Sequence, residues 1–231
     1  MKVWGLAATL GFGILAFVLG QALGIAALTA FRTFDPRQVD YDGTAIAIVT
    51  LIANPVQVVT LVLAVRMTGS DAFAYFGIDL PRRRDIGIAV AALAVVVVLG
   101  DAVTVALGRE LVPAFQLEIH RSARAAGTLP LLWLAIVFAA PVGEELLFRG
   151  FLFRGLIHTP RDSLPGILVI ALIWSLLHIQ YDLFGASLVF GLGVMFGYVR
   201  LYSGSTTLVI LLHVLLNAES VAETLIVLGW V

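Results

Sequence analysis

Two adjacent carboxylates and an arginine interrupt a long apolar stretch in the second half of this chain. Glu144 and Glu145 are followed by Arg149, and no charged residue lies between Arg124 and this group. A charge at bilayer depth is costly, so such residues usually face a protein interior or a cavity and are candidates for function. Glu145 and Arg149 stand four residues apart with the carboxylate first, which favours a helical ion pair and leaves Glu144 as the freer carboxylate. A helix end at the headgroup level would also accommodate these charges, in contact with water.

Imidazole groups occur in two later apolar stretches. His178 and His213 are two of the four histidines, and Asn217 follows His213 by four residues, on the same face of a helix. His178 lies about as far after a predicted turn at residues 159–162 as Glu144 lies before it. Two antiparallel helices joined by that turn would hold both side chains at a similar depth, roughly 20 Å from the turn.

Carboxylate and imidazole groups together can activate water. A buried Glu144 could take a proton from water and return it to a leaving amine, while His178 holds the water. His213 and Asn217 could donate hydrogen bonds to a developing oxyanion. Alternatively, a glutamate and two histidines could bind zinc, with a water molecule in the fourth position. The residues alone leave both arrangements open.

Each of these polar residues also has a purely structural interpretation. A histidine inside a span is often packed in the interior and bonded to a backbone carbonyl, and Asn217 could join two helices. Asp182, four residues after His178, could accept a hydrogen bond from its ring and fix the tautomer, or could simply end a helix. Asp101 interrupts another apolar stretch without a visible partner. Three glycines predict close packing of the uncharged run at residues 183–199. They are Gly191, Gly193 and Gly197.

The composition places these residues in a membrane. The chain has 231 residues, of which 61% are hydrophobic and 13% are charged, whereas soluble domains carry about 25% charged residues. A net charge of −1 gives no case for binding nucleic acid, and the lack of cysteine excludes disulfides and thiolate sites.

Uncharged runs of about 20 residues predict the membrane spans. They indicate an all-α, polytopic transmembrane bundle of about seven helices, or eight if the apolar tail at 224–231 forms part of a broken helix. A kink is expected at Asn54-Pro55 in the second span. Without a visible repeat or linker, residues 1–231 form a single integral membrane domain. The predicted spans are 3–31, 43–65, 86–108, 129–158, 163–181, 183–199 and 201–218.

Basic residues predict the orientation, because cytoplasmic loops are enriched in them. With seven spans, nine basic residues share the side of the N-terminus and five lie on the opposite side. The N-terminus is therefore predicted to be cytoplasmic, although the margin depends on Arg149 and Arg154. The first group is Lys2, Arg66, Arg82, Arg83, Arg84, Arg149, Arg154, Arg161 and Arg200, and the second is Arg32, Arg37, Arg109, Arg121 and Arg124.

The combined motifs resemble a known family. Three elements carry the resemblance: Glu144-Glu145-x-x-x-Arg149, His178, and His213-x-x-x-Asn217. On predicted transmembrane helices they resemble the CAAX prenyl protease and bacteriocin-processing family of intramembrane endopeptidases, over roughly residues 129–217. The second motif of that family has phenylalanine four residues before the histidine, whereas this chain has Trp174, which predicts a changed pocket wall with catalysis kept.

The resemblance implies a role for each residue. Glu144 would be the general base and His178 would share the water, while His213 and Asn217 would form the oxyanion site. Glu145 and Arg149 would hold the geometry. The substrate would be a membrane-associated protein or peptide, and the chain would be a multi-pass protein of the cell membrane, with the lipid bilayer as its surroundings. The resemblance requires no cofactor. It is equally compatible with a divalent metal such as zinc, so the question of a metal stays open.

Other intramembrane proteases fit the motifs less well. A zinc site-2 protease needs His-Glu-x-x-His, which is absent. An aspartyl type needs Tyr-Asp followed by Gly-x-Gly-Asp, but here Asp101 precedes Asp182. A rhomboid-like serine protease would use Ser187 as its nucleophile. The next residue here is Leu188, where a small residue would be expected.

Two non-enzymatic alternatives remain. A catalytically silent membrane scaffold or bacteriocin immunity factor could keep the fold, although the intact Glu–His–His–Asn set argues against silence. A proton-coupled transporter could use Glu144, Glu145 and the histidines as a relay. A transporter would be favoured by an inverted repeat with paired broken helices, and the sequence shows none.

Overall fold

A computed structural model describes residues 2–31 and 41–231 of the chain. Within these ranges the protein is helical and contains no strand, which confirms the predicted all-α class. Arg32 and Arg37, which entered the charge count, lie outside the described residues. The helices are α1 (Leu6–Phe31), α2 (Gly43–Arg66), α3 (Ala72–Phe76), α4 (Arg83–Ala106), α5 (Ala114–Ala125), α6 (Leu129–Leu156), α7 (Pro160–Leu176), α8 (Leu183–Ser203) and α9 (Thr206–Val227).

Six helices are long and apolar enough to cross a membrane by length and composition, namely α1, α2, α4, α6, α8 and α9. Helix α7 has 17 residues, which gives it a length of about 25 Å. It ends at Leu176, whereas the uncharged run continues to Tyr181. Hydropathy missed this end because the intervening residues form turns without carrying a charge. The apolar tail forms no eighth span, since α9 continues through residues 224–227.

Local signals set the start of each half of the α7–α8 hairpin. Thr159 and Asp162 form a capping box around the first turn of α7, so side chains satisfy backbone donors at this helix start. Asp182 caps α8 by accepting a hydrogen bond from the Gly185 backbone N–H at 2.9 Å. Helix α8 ends at Ser203 and is capped by Gly204, where φ is +73° and a side chain would be strained.

Helix α6 is the central element of the bundle. In an 18-residue apolar segment of α6, 50% is buried inside the protein, compared with 11% in the corresponding segment of α4. Two segments of α6 have π-helical winding, Leu134–Ala139 and Leu146–Leu152. Single π-helical turns of this kind occur often at functional sites. Glu144 and Glu145 lie on the α-helical stretch between the two segments.

Small residues permit the close helix contacts around α6 and α8. A Cβ atom at Gly197 would lie 2.6 Å from Ile167 of α7, and one at Gly193 would lie 3.0 Å from Ala171, so both glycines allow close packing as predicted. Gly191 was predicted to do the same, but a Cβ there would meet no atom within 4 Å. Helix α2 continues through Asn54 and Pro55.

Candidate active site

The two adjacent glutamates have different surroundings. Consecutive residues on a helix point about 100° apart, so the two side chains leave α6 in different directions. Glu145 is fully buried, whereas Glu144 is only partly buried. Gln57 of α2 donates a 2.8 Å hydrogen bond to the Gly143 carbonyl and so ties the backbone before this pair to the neighbouring helix.

Glu145 forms the predicted ion pair with Arg149. The Arg149 guanidinium donates to Glu145 Oε1 at 3.1 Å, and both side chains are completely buried. His213 lies against the same oxygen, with 2.8 Å between its Nδ1 and Oε1. The pair therefore joins α6 to α9 in the interior, and the alternative of charges meeting water at a helix end is wrong for these two residues.

Arg149 also contacts α7 and α8. It donates a 3.1 Å hydrogen bond to the Gly193 carbonyl, and its guanidinium carbon lies 4.6 Å from the centroid of the Trp174 ring. Because Arg149 is buried in protein contacts, it does not act as a loop charge in the orientation count. The predicted excess of basic residues on the N-terminal side remains without it.

Trp174 connects the parts of the site. Its indole Nε1 donates a 2.6 Å hydrogen bond to Glu144 Oε2. The centroid of its ring lies 4.9 Å from that of His178 and 5.5 Å from that of His213, in edge-to-face arrangements. The sequence interpretation treated Trp174 only as a pocket wall and missed this contact. The available signal was that tryptophan, unlike phenylalanine, carries an N–H donor.

His178 lies on a turn just after α7 and not inside a helix as predicted. Its Nδ1 is 2.8 Å from the Trp174 carbonyl oxygen. The suggestion that Asp182 orients this ring is wrong, because Asp182 caps α8 and pairs with Arg109. The backbone N–H of Gly185 and the Arg109 guanidinium lower the pKa of Asp182.

The partners of the two histidines determine their tautomers. A carbonyl oxygen and an ionised carboxylate can only accept hydrogen bonds. Nδ1 of His178 therefore carries its proton toward Trp174, and Nδ1 of His213 carries its proton toward Glu145. In the neutral form, each histidine then has a lone pair on Nε2 that can accept a hydrogen bond.

Asn217 uses part of its amide to join α9 to α6. Its Nδ2 donates a 2.7 Å hydrogen bond to the carbonyl of Ile136. Ile136 belongs to the first π-helical segment, where the Ala140 N–H donates to the Ala135 carbonyl and Pro141 has no N–H to donate to Ile136. One Nδ2 hydrogen of Asn217 is thereby committed, and the second remains for another acceptor.

A cavity of about 580 Å³ lies beside these residues. Trp174, His178, His213 and Asn217 line it, together with residues of α4, α8 and α9. Glu144 does not line it directly and is connected to it through Trp174. The structure thus brings Glu144 and His178 to the same tryptophan from opposite sides of the predicted turn.

The arrangement does not present a closed zinc site. In the described part of the chain, the only group of three or more His, Asp or Glu residues with ligand atoms within 4.8 Å of one another is Asp101, Glu219 and Glu223. Glu144, His178 and His213 do not converge in this way. Asp101, which had no visible partner in the sequence, lies beside two carboxylates of α9 in the lining of the same cavity.

Comparison with known proteins yields a family match over this site. Residues 126–218 match the family model described as Type II CAAX prenyl endopeptidase Rce1-like. No curated protein and no solved structure matches the chain significantly. The matched region contains all six residues singled out from the sequence, from Glu144 to Asn217. Residues 126–218 of the chain are therefore similar to the Rce1-like type II CAAX prenyl endopeptidases.

Proposed function

We propose that this protein is an intramembrane endopeptidase that hydrolyses a peptide bond of a membrane-associated protein or peptide, using water activated by Glu144. The observation that carries the proposal is the position of Trp174, which bonds Glu144 and contacts the rings of both His178 and His213. A general base and two imidazoles are thus held around one rigid side chain beside a cavity. The family match supports a membrane endopeptidase of the CAAX-protease type.

The cavity is the proposed binding site for the substrate. Its volume of about 580 Å³ lies within the range of about 300–1,000 Å³ that is usual for ligand pockets, and a short extended segment of peptide would occupy it. His178, His213 and Asn217 all line the cavity. A scissile peptide bond held against them would have two imidazole Nε2 atoms and one amide donor within its surroundings.

The first step is the addition of water to the peptide carbonyl. One water hydrogen goes to the Glu144 carboxylate, and the other donates a hydrogen bond to the lone pair on Nε2 of His178. The water oxygen forms a bond to the carbonyl carbon, whose π electrons move onto oxygen. Glu144 serves as base through Oε1, since Oε2 already accepts from Trp174.

The second step collapses the tetrahedral intermediate. The remaining Nδ2 hydrogen of Asn217 donates to the oxyanion, and His213 can donate from Nε2 when it is protonated on both nitrogens. Protonated Glu144 then returns its proton to the amide nitrogen as the carbon–nitrogen bond breaks. The products are a carboxylic acid and an amine, and Glu144 is again a carboxylate.

Glu145 and Arg149 act indirectly in this scheme. Glu145 orients the ring of His213 through Nδ1, and the Arg149 guanidinium packs over the Trp174 ring. We therefore assign both residues to holding the geometry, as the family resemblance implies.

The proposed mechanism uses no metal, because the donor atoms of Glu144, His178 and His213 do not converge. A zinc ion at this site would require the three side chains to move together. Removal of divalent metal by a chelator is therefore expected to leave cleavage unchanged. Loss of activity on chelation, with recovery on adding zinc, would replace the proposed base with a metal-bound water.

The decisive experiment compares peptide release by the wild type and by Glu144→Gln, both reconstituted in proteoliposomes with a membrane-protein extract. Glu144→Gln keeps the size of the side chain and removes the base, so cleavage should fall by about 10²–10⁴-fold. Asn217→Ala should fall less, by about 10²–10³-fold. Glu118→Gln is the matched control, since Glu118 is exposed on α5 and does not line the cavity.

The outcomes separate the alternatives. Undiminished release of peptides by folded Glu144→Gln would refute the proposed mechanism. A scaffold or immunity factor would keep its cellular effect in this variant, and a proton-coupled transporter would lose ion flux with no peptide cut in either protein. Peptides present with the wild type and missing with Glu144→Gln would also identify the substrate class.

A further inference from the structure

We infer that Trp174 is a positioning residue that holds Glu144 in its working orientation through the indole N–H. The inference rests on the proposed role of Glu144 as general base and assigns a function to the one tryptophan in the site. It concerns a hydrogen bond that phenylalanine at this position could not make. In the described part of the chain, the Glu144 side chain is held by a 2.6 Å hydrogen bond that it accepts from Trp174.

The contact is short and charge-assisted. Hydrogen bonds from a neutral donor to a carboxylate are stronger than those between neutral groups. Trp174 is only 3% exposed, so water does not compete effectively for its N–H. Since the indole has a single donor, Trp174 binds Oε2 alone and leaves Oε1 of Glu144 for the attacking water.

The orientation of Trp174 is itself fixed on several sides. The Arg149 guanidinium lies over the ring at 4.6 Å, and the Phe196 ring lies 5.9 Å away. At Gly193, a Cβ atom would already lie 3.0 Å from Cε3 of the indole. The ring therefore has little room to rotate. The cation over its face also draws electron density from the ring, which makes the N–H a better donor.

The surrounding charges explain why Glu144 needs such a restraint. Its own helix carries Glu145, which repels it, and Arg149, which attracts it. The elements packed around Glu144 add two titratable groups, which are His178 after α7 and His213 on α9. Without the indole donor, the carboxylate would be free to turn toward the buried guanidinium and away from the substrate. The hydrogen bond from the indole holds it apart from that cation.

The test is Trp174→Phe, assayed by kcat and KM over a range of pH with a peptide identified by the release experiment. The expected result is a roughly tenfold loss in kcat, with KM changed by less than about twofold. The loss of kcat reflects the removal of one hydrogen-bond donor from a charged acceptor. A residue that only fills space would keep the wild-type kcat when β-(3-benzothienyl)alanine at position 174 removes the donor and preserves the ring shape.

Two other tryptophans provide matched controls. Trp133→Phe removes a buried indole N–H that has no hydrogen-bond partner among the described residues, and Trp4→Phe removes one that donates to the Ala64 carbonyl at 3.0 Å. Both controls lie outside the site and should keep the wild-type rate profile. If Trp174→Phe does not fold, β-(3-benzothienyl)alanine at position 174 keeps the ring shape and removes only the donor.

The results distinguish this inference from the proposed function. A wild-type kcat in the residue-174 variants would overturn the inference, as would faster cleavage, which would mean that the contact restrains the enzyme. If Glu144→Gln is inactive in the same assay, the proposed function stands in either case. Normal cleavage by Glu144→Gln would instead refute the proposed function.

Discussion

Replacing Arg149 with alanine should destabilise the fold as well as reduce activity. Arg149 is among the largest completely buried side chains in the protein. Its removal takes the cation from Glu145, which is also fully buried, and the donor from the Gly193 carbonyl. It further leaves empty space beside the Trp174 ring, because in the wild type the guanidinium carbon lies 4.6 Å from the centroid of that ring.

The size of the effect follows from the loss of one partner of a buried pair. Such a loss costs about 3–5 kcal/mol because the other charge stays buried without compensation. His213 continues to donate to Glu145 Oε1 in the variant, which places the expected cost toward the lower half of that range. For a chain of this length, a loss of about 3–5 kcal/mol corresponds to a fall in Tm of about 6–20 °C.

The assay is thermal unfolding of the purified protein in detergent, followed by tryptophan fluorescence, together with the yield of monodisperse protein. Arg121→Ala is the matched control, because Arg121 also pairs with a glutamate on its own helix but is 57% exposed. An exposed pair of this kind is worth about 0–1 kcal/mol, so the control should unfold close to the wild type.

A double variant isolates the cause. Replacing both Glu145 and Arg149 with apolar residues of similar volume removes the charges together and should recover much of the lost stability, although not the activity. An unfolding temperature for Arg149→Ala within about 2 °C of the wild type would refute the reasoning, since about 1 kcal/mol already shifts Tm by about 2–4 °C.

Two further predictions concern packing and topology. Gly143→Ala should lower Tm and activity because the added Cβ would lie 1.8 Å from Oδ1 of Asn54 and force α2 away from α6, whereas Gly191→Ala, with nothing within 4 Å, should be neutral in the same thermal assay. An alkaline phosphatase reporter should be inactive when fused between α6 and α7 and active when fused to α5, since the basic residues predict a cytoplasmic N-terminus; the opposite pattern would reverse the orientation.

Much of the fold could be predicted from the sequence because membrane insertion depends on local composition. Uncharged runs of span length located the long helices, and the spacing of Glu145 and Arg149 predicted their ion pair. Such signals lie within a few turns of one helix, so no tertiary information is needed to read them. The same reasoning set the end of α7 too late, since His178 follows the helix without any charge or proline marking its end.

The contacts within the site depended on tertiary structure. The sequence placed Glu144, His178, His213 and Asn217 on separate segments and predicted their types of chemistry. It could not reveal that Trp174 donates to Glu144 or that Asn217 donates to the Ile136 carbonyl.

The physical reason is that both contacts join side chains to partners on other helices. The Ile136 contact also depends on the π-helical winding before Pro141, and although a proline predicts an irregular helix, it does not specify which carbonyl is left for Asn217. A hydrogen bond between distant segments is decided by helix rotation and depth, to within about half an ångström. Sequence spacing alone determines which face of a helix a residue occupies, while packing decides what that face meets.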